Sequence, residues 1–447
     1  AYIAQQMHIA MIAGEYPPRW GGIGSVVYHL AGHLASFGHQ VTVITRADDI
    51  KAPAQSGVNI VEVPWLKLPM KFTRSYAKNA FKIIQRLHSE DPFDVIHVHL
   101  PLASFTAKEY RFLEQNIAPV CCSLHGSWLG EKVGVLRAAS AGESAIWRNP
   151  NDLAIRLGAK WYAKYEKAGL LNTSISVANS ESTLQEFSNW YAPAGDYDAK
   201  VVLWGCDHKV FRPANIDDEE EQLAHERLRQ QYGCDDEKAL SHEPNTTTPM
   251  LLAVGRLVAR KGYMTLLRAM PGILAENPGA KLVIIGRGHM KTKLLKEARK
   301  LSINDAVFIQ SGMSFSELAQ HFRSADLVIY PSYYEGQGLI PLESMSSGTP
   351  VATVNMAPLT EMVDNSVGGL FDMGNPDDLA DTVNTMLSNP DLRSQQGKAG
   401  RELVLSKYTY EHNATDFLAI YRSIIGVAQP PTCLLYTSPS PRDPHLS

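Results

Sequence analysis

Tyr330-Pro331-Ser332-Tyr333-Tyr334-Glu335-Gly336-Gln337-Gly338-Leu339-Ile340-Pro341-Leu342-Glu343 passes from an apolar strand, which ends at Pro331, through a glycine-bearing loop into a helix. The helix opens near Leu339 with Pro341 in its first turn, and Gly348 and Pro350 stop it. Strand, short loop and helix in succession are the unit of a parallel sheet, whose ligands bind at the carboxyl ends of the strands. Glu335 and Glu343 are therefore expected at such a strand end. The amides of Gly338, Leu339 and Ile340 fall at the helix N-terminus, where they lack intrahelical acceptors and the helix dipole favours an anion such as phosphate. Taken alone, Glu343 also reads as an acid stabilising that helix end, and Glu335 as a solvated loop acid.

The same alternation extends in both directions. Residues 8–13, 40–45, 58–63, 94–98, 120–124, 175–178 and 200–203 are apolar runs of strand length. After Phe211-Arg212-Pro213 comes an acidic, breaker-rich stretch from Asp217 to Pro249, and then the pattern resumes at 250–254, 281–285, 306–309, 327–330 and 350–354. A chain of 447 residues is too long for one core and suits two domains of about 200 residues each. The expected fold is α/β, with two Rossmann-like, doubly wound parallel-sheet domains facing a cleft. The first spans 7–210 and the second 211–409, and an amphipathic helix at 410–428 crosses back to the first.

Lys plus Arg (42) nearly balances Asp plus Glu (46), which gives no global basic excess for nucleic acid. Five cysteines without CxxC spacing argue against a zinc site and a disulfide framework, and favour a reducing, cytoplasmic setting. No run approaches the ~20 apolar residues of a membrane span. Met7 directly before the first strand marks Ala1–Gln6 as read-through or fragment edge, and the end from Thr432 to Ser447 resembles a translated sequencing adapter. Trp65–His88 holds no Asp or Glu. Its Lys71, Arg74, Lys78 and Lys82 share a helical face beside an apolar stripe of Phe72, Ala80, Phe81, Ile84 and Leu87. That pattern fits either a solvated basic face or peripheral contact with the inner leaflet of a membrane.

The stretch from Glu335 to Glu343 resembles the Glu-x7-Glu motif of retaining glycosyltransferases of GT-B architecture. Three further segments match that family in order. Gly14-Glu15-Tyr16-Pro17-Pro18-Arg19-Trp20-Gly21-Gly22-Ile23-Gly24 is similar to its first loop, Gly255-Arg256-Leu257-Val258-Ala259-Arg260-Lys261-Gly262 to its phosphate loop, and Trp204-Gly205-Cys206-Asp207 with Phe211-Arg212-Pro213 to its domain joint. The resemblance covers about residues 8–425.

It implies a nucleotide-sugar donor, either a UDP- or a GDP-hexose, a glycan, lipid-linked or polyol acceptor, retention at the anomeric carbon, and no metal or cofactor. In that reading Arg256 and Lys261 stabilise the departing diphosphate. Glu335 accepts sugar hydroxyls, Glu343 binds the ribose, and His125 stands beside the donor sugar. Gly21 and Gly22 let amides approach the diphosphate, and Gly286 lies near the base. Three departures mark the donor pocket as unusual: Gln337 in place of an aromatic residue, Trp204 in place of Asn, and Met356-Ala357-Pro358 in place of a Gly-Gly-x-Pro loop. His99 either lines the acceptor cleft or makes a satisfied buried contact. A nucleotide-sugar epimerase of the same architecture lacks the paired pattern, and a non-catalytic nucleotide-sugar sensor shares it. An NAD-dependent oxidoreductase is disfavoured by the absence of a complete Gly-x-Gly-x-x-Gly turn.

Overall fold

The computed structural model describes residues 6–18, 20–68, 71–192, 195, 197–234 and 248–426. The stretch read as an adapter, 432–447, lies outside them, as do residues 1–5 and 244–247.

Seven strands form the first sheet: β1 (His8–Ala13), β2 (Gln40–Arg46), β3 (Val58–Val63), β4 (Val95–Leu100), β5 (Val120–Leu124), β6 (Ile175–Ala178) and β7 (Ala199–Val201). Six form the second: β8 (Met250–Val254), β9 (Lys281–Ile285), β10 (Val307–Gln310), β11 (Leu327–Tyr330), β12 (Val351–Val354) and β13 (Gly368–Phe371). The orders are β3-β2-β1-β4-β5-β6-β7 and β10-β9-β8-β11-β12-β13, with parallel pairing across both switch points. Each sheet starts in its middle, winds to one edge and returns past its start to the other. Helices cover both faces, which is why β1, β4 and β8 are buried along their whole length and read as unbroken apolar runs.

Strand β13 is missing from the sequence expectation. Gly368-Gly369-Leu370-Phe371 has little intrinsic strand preference, and pairing with β12 recruits it to the sheet edge. The acidic run is the start of a helix, Glu219–Gln231, whose N-terminus Asp218 caps by accepting from Glu220 N and Glu221 N. Leu228 of this helix and the following Tyr232 join the core of the second sheet. The last helix, Tyr410–Ile425, returns to the first sheet, where Phe417, Leu418 and Tyr421 pack with Val27, Leu30 and Leu34.

The carboxyl ends of both sheets open onto one cleft of about 1080 Å³, walled by the loops after β1, β4, β5, β8, β9 and β11.

Candidate active site

The residues given catalytic or donor-binding roles above line this cleft: Gly21, Gly22, His125, Arg256, Lys261, Gly286, Glu335, Gly338, Leu339, Ile340 and Glu343. The loops after β8 and β11 meet at Glu335. Lys261 donates from Nζ to Glu335 Oε1 and to the Tyr330 hydroxyl at 2.9 Å. Ser332 Oγ donates to the same carboxylate oxygen at 2.6 Å, and Arg260 Nη1 lies 3.7 Å from it. Burial pushes the Glu335 carboxyl up, but Lys261, Arg260 and these hydrogen bonds outweigh it and hold it at about 2. Glu335 is thus an anion at neutral pH. Arg256 is exposed and borders the open cleft.

The helix Leu339–Ser346 begins after Gly338, whose φ of +104° suits a residue without a side chain. Glu343 on this helix has an Oε2 without a hydrogen-bond partner among the described residues. Burial, with Asp207 nearby, raises its carboxyl to about 8. At Gly286 a Cβ would sit 1.8 Å from the carbonyl oxygen of Gly255, so the loops after β8 and β9 close on each other only across glycine. Gly21 precedes the helix Gly22–Ser36, and Glu15 Oε1 accepts from Gly24 N at 2.9 Å. A carboxylate thus already occupies this helix N-terminus.

Both ring nitrogens of His125 are engaged within the protein. Trp204 Nε1 donates to Nδ1 at 2.9 Å, and Nε2 faces His99 Nδ1 at 2.8 Å. Burial pushes the imidazole down to about 3, so it is neutral with its proton on Nε2. His99 is buried behind His125 and outside the cleft lining, with Nδ1 engaged by His125 and Nε2 without a hydrogen-bond partner among the described residues, so the satisfied contact is only half made. His97 continues inward to Tyr421 and Ser123 at 2.6 Å each. Two of the departures noted above are partners of each other, because Trp204 N donates to Gln337 Oε1 at 2.7 Å.

Family models match both halves. "Glycosyltransferase Family 4" matches residues 20–204 and "Glycosyl transferases group 1" matches 235–403, together well over half of the chain. The chain belongs to the group 1 glycosyltransferases. An uncharacterized glycosyltransferase of Methanocaldococcus jannaschii is 29% identical over 422 residues, covering 93% of this chain and 98% of that protein. The sucrose-phosphate synthase of Thermosynechococcus elongatus superposes with a TM-score of 0.72 at 20% identity over 94% of this chain and all of that one. The Anabaena protein HepE, solved with UDP and glucose, does so with a TM-score of 0.66 at 17% identity, over 94% and 100%. A nucleotide-sugar donor follows from the family.

In this glycosyltransferase the two halves meet through residues that sequence reading passed over. Arg260 Nε pairs with Glu131 at 2.5 Å, joining the loop after β8 to the first-domain helix Trp128–Ser140. Tyr334, next to Glu335, lays its ring on the same helix, where a Cβ on Gly130 would lie 2.1 Å from ring Cζ and one on Gly134 2.6 Å from the Tyr334 Cβ. Its hydroxyl accepts from Ser127 N at 2.9 Å and donates to Glu186 at 2.9 Å. Glu143 of the first half accepts from Met264 N and Thr265 N, both at 2.9 Å, at the start of the helix Tyr263–Glu276. The nearest sequence signal for Arg260 and Tyr334 was adjacency to motif residues; Glu131, Glu143 and Glu186 carried none.

The basic helix needs correction. It spans Phe72–Glu90, but Arg74 leaves the exposed face to pair with Glu109 at 2.7 and 2.8 Å and with the Ser104 carbonyl at 3.0 Å. The reason is Glu109, an acid far along the chain that folding brings to the helix. Among the described residues no helix is long and apolar enough to cross a membrane.

Proposed function

We propose that this glycosyltransferase moves a hexose from a UDP- or GDP-sugar to an acceptor hydroxyl with retention, without a metal ion. The supporting observation is one arrangement: the anion Glu335 held between Lys261 and Arg260, with Arg256 and the first-turn amides of Leu339–Ser346 lining the same cleft. The amides and the two cations Arg256 and Lys261 suit the donor diphosphate, and they gain strength as the anomeric carbon–oxygen bond breaks and charge builds on the phosphate. Glu335, already ionised, accepts from the sugar hydroxyls and orients the ring. Glu343, with a free oxygen, accepts from the ribose.

The acceptor enters on the first-domain side, where Trp128, Tyr162, Asn149 and Asp152 line the cleft. Its oxygen bonds to the anomeric carbon on the face the phosphate leaves, and its proton passes to the departing phosphate oxygen. Glu335 Oε1, engaged by two cations and Ser332, serves as an orienting anion in this scheme. The acceptor is a glycan, a lipid-linked sugar or a polyol.

The test has two stages. A thermal-shift screen of nucleotide hexoses names the donor, since a ligand at a hundred times its Kd stabilises by about 2.7 kcal/mol. Acceptor addition with that donor then releases nucleoside diphosphate, and proton NMR of the product shows the donor's anomeric configuration. Inversion at the anomeric carbon overturns the mechanism, and absence of release with every acceptor class returns the chain to a binding role.

A further inference from the structure

The helix Pro150–Leu171 and the turn before it expose an unusual face. Trp147 is 72% exposed, Leu157 73% and Trp161 43%, and Leu153 is exposed with them. The cations Arg156, Lys160, Lys164 and Lys167 are exposed too, whereas the two acids of this helix, Asp152 and Glu166, are both buried. At 3.6 residues per turn, Leu153, Leu157, Trp161 and the four cations fall within an arc of roughly 140°. The first turns of the same helix line the cleft through Asn151, Ala154 and Ile155. Across the mouth, Lys67 and Leu68 line it as well, and Leu66 and Leu68 are exposed.

We propose that this face docks the protein onto a bilayer containing anionic phospholipid, with the cleft mouth turned toward the headgroups. A contiguous apolar patch on a folded surface marks an interaction site. Cations without exposed acids select a negatively charged partner, and the cations shared with the stripe attract an anionic leaflet while Trp and Leu enter its interface. A second protein fits less well, because interface cores exclude Lys even where they favour Trp. The helix Phe72–Glu90 is a poorer candidate. It exposes Lys78, Lys82 and Arg86, but Tyr76, Ala80 and Ile84 are buried inward, which leaves charge without an apolar wedge. The docking itself is independent of the donor; its consequence, an acceptor presented from the leaflet, rests on the reaction proposed above.

The full chain is tested by co-sedimentation with phosphatidylcholine vesicles with and without phosphatidylglycerol. Binding is expected only with phosphatidylglycerol and weakens with added salt. Lys160→Gln with Lys164→Gln lowers vesicle affinity roughly thirtyfold at low salt, and Trp147→Ser with Leu157→Ser and Trp161→Ser lowers it at least about tenfold. Both variants keep the wild-type thermal shift with nucleotide sugar, so failure of docking is distinguished from failure of the donor assignment. Three results overturn the proposal: recovery in the supernatant with anionic vesicles, binding unchanged in the Ser triple variant, or a lipid-free dimer that the triple variant converts to monomer, which assigns the face to a second copy.

Discussion

Trp204 donates its indole N–H to His125 Nδ1 at 2.9 Å, and this bond ties the domain joint to the strand-end histidine of the first sheet. The Trp204 ring also packs with Val26, Tyr410 and Leu339 and lies 3.5 Å from the Cβ position of Gly22. One side chain therefore links the first loop, the histidine and the helix beneath the proposed diphosphate site. Trp204→Phe keeps an aromatic ring but strands a buried acceptor, and about 1–3 kcal/mol of stability is expected to go. Urea denaturation measures it. A double-mutant cycle with His125→Phe should return a coupling of at least about 0.5 kcal/mol, and strict additivity denies the bond any energetic role.

Arg256→Ala and Glu335→Gln are each expected to cut turnover at least about a hundredfold. The two differ in stability. Arg256 is exposed, so its loss leaves the melting temperature near that of wild type. Glu335→Gln leaves Lys261 and Arg260 without their shared anion and destabilises the fold by about 3–5 kcal/mol. Near-native turnover in both folded variants removes these residues from the site.

Gly130→Ala should favour its own helix, where Ala exceeds Gly by about 1 kcal/mol, yet lower activity. Its Cβ would lie 2.1 Å from the Tyr334 ring, and displacing that ring moves the loop that carries Glu335. A drop in kcat/KM of about tenfold or more is expected, partly restored when Tyr334→Ala is added. Full activity in the single variant shows that the ring has room elsewhere.

Burial, with Asp207 nearby, pushes the Glu343 carboxyl up to about 8. In the proposed donor complex ribose hydroxyls donate to the ionised carboxylate, so a bound donor is expected to lower this pKa, and below about 8 binding then releases a proton. The sign follows: nucleotide-sugar affinity rises with pH, by at most about tenfold per unit, and levels off above about pH 8. Calorimetry in two buffers of different ionisation enthalpy detects the proton. Glu343→Gln flattens the profile; an unchanged slope in that variant places the titration elsewhere.

Turnover is expected to persist in EDTA, since in the proposed mechanism Arg256, Lys261 and helix amides supply the positive charge for the leaving group. Complete loss that magnesium or manganese restores makes a metal part of the reaction.

The two wound sheets and most of the cleft were legible in the sequence, because strands buried on both faces must be continuous apolar runs and the loops after them must carry the chemistry. Arg256, Lys261, Glu335 and Glu343 could be picked out there because the first three lie in the loops that follow β8 and β11 and Glu343 lies in the helix that follows the β11 loop, and local order alone brings them to the cleft. Strand β13 was not legible: two glycines give no strand signal, and only the open edge of β12 makes them one. The tertiary structure alone decided the partners across the cleft. Glu131 reaches Arg260, and the Tyr334 ring reaches Gly130, from more than a hundred residues away; no local pattern encodes such a contact. It also decided which stripe of the helix Pro150–Leu171 meets solvent. Leu, Trp, Tyr and Ala occur around most of that helix, so its sequence period does not separate the buried side from the exposed one, and only packing against the helix Trp128–Ser140 and the sheet leaves Leu157 and Trp161 outside.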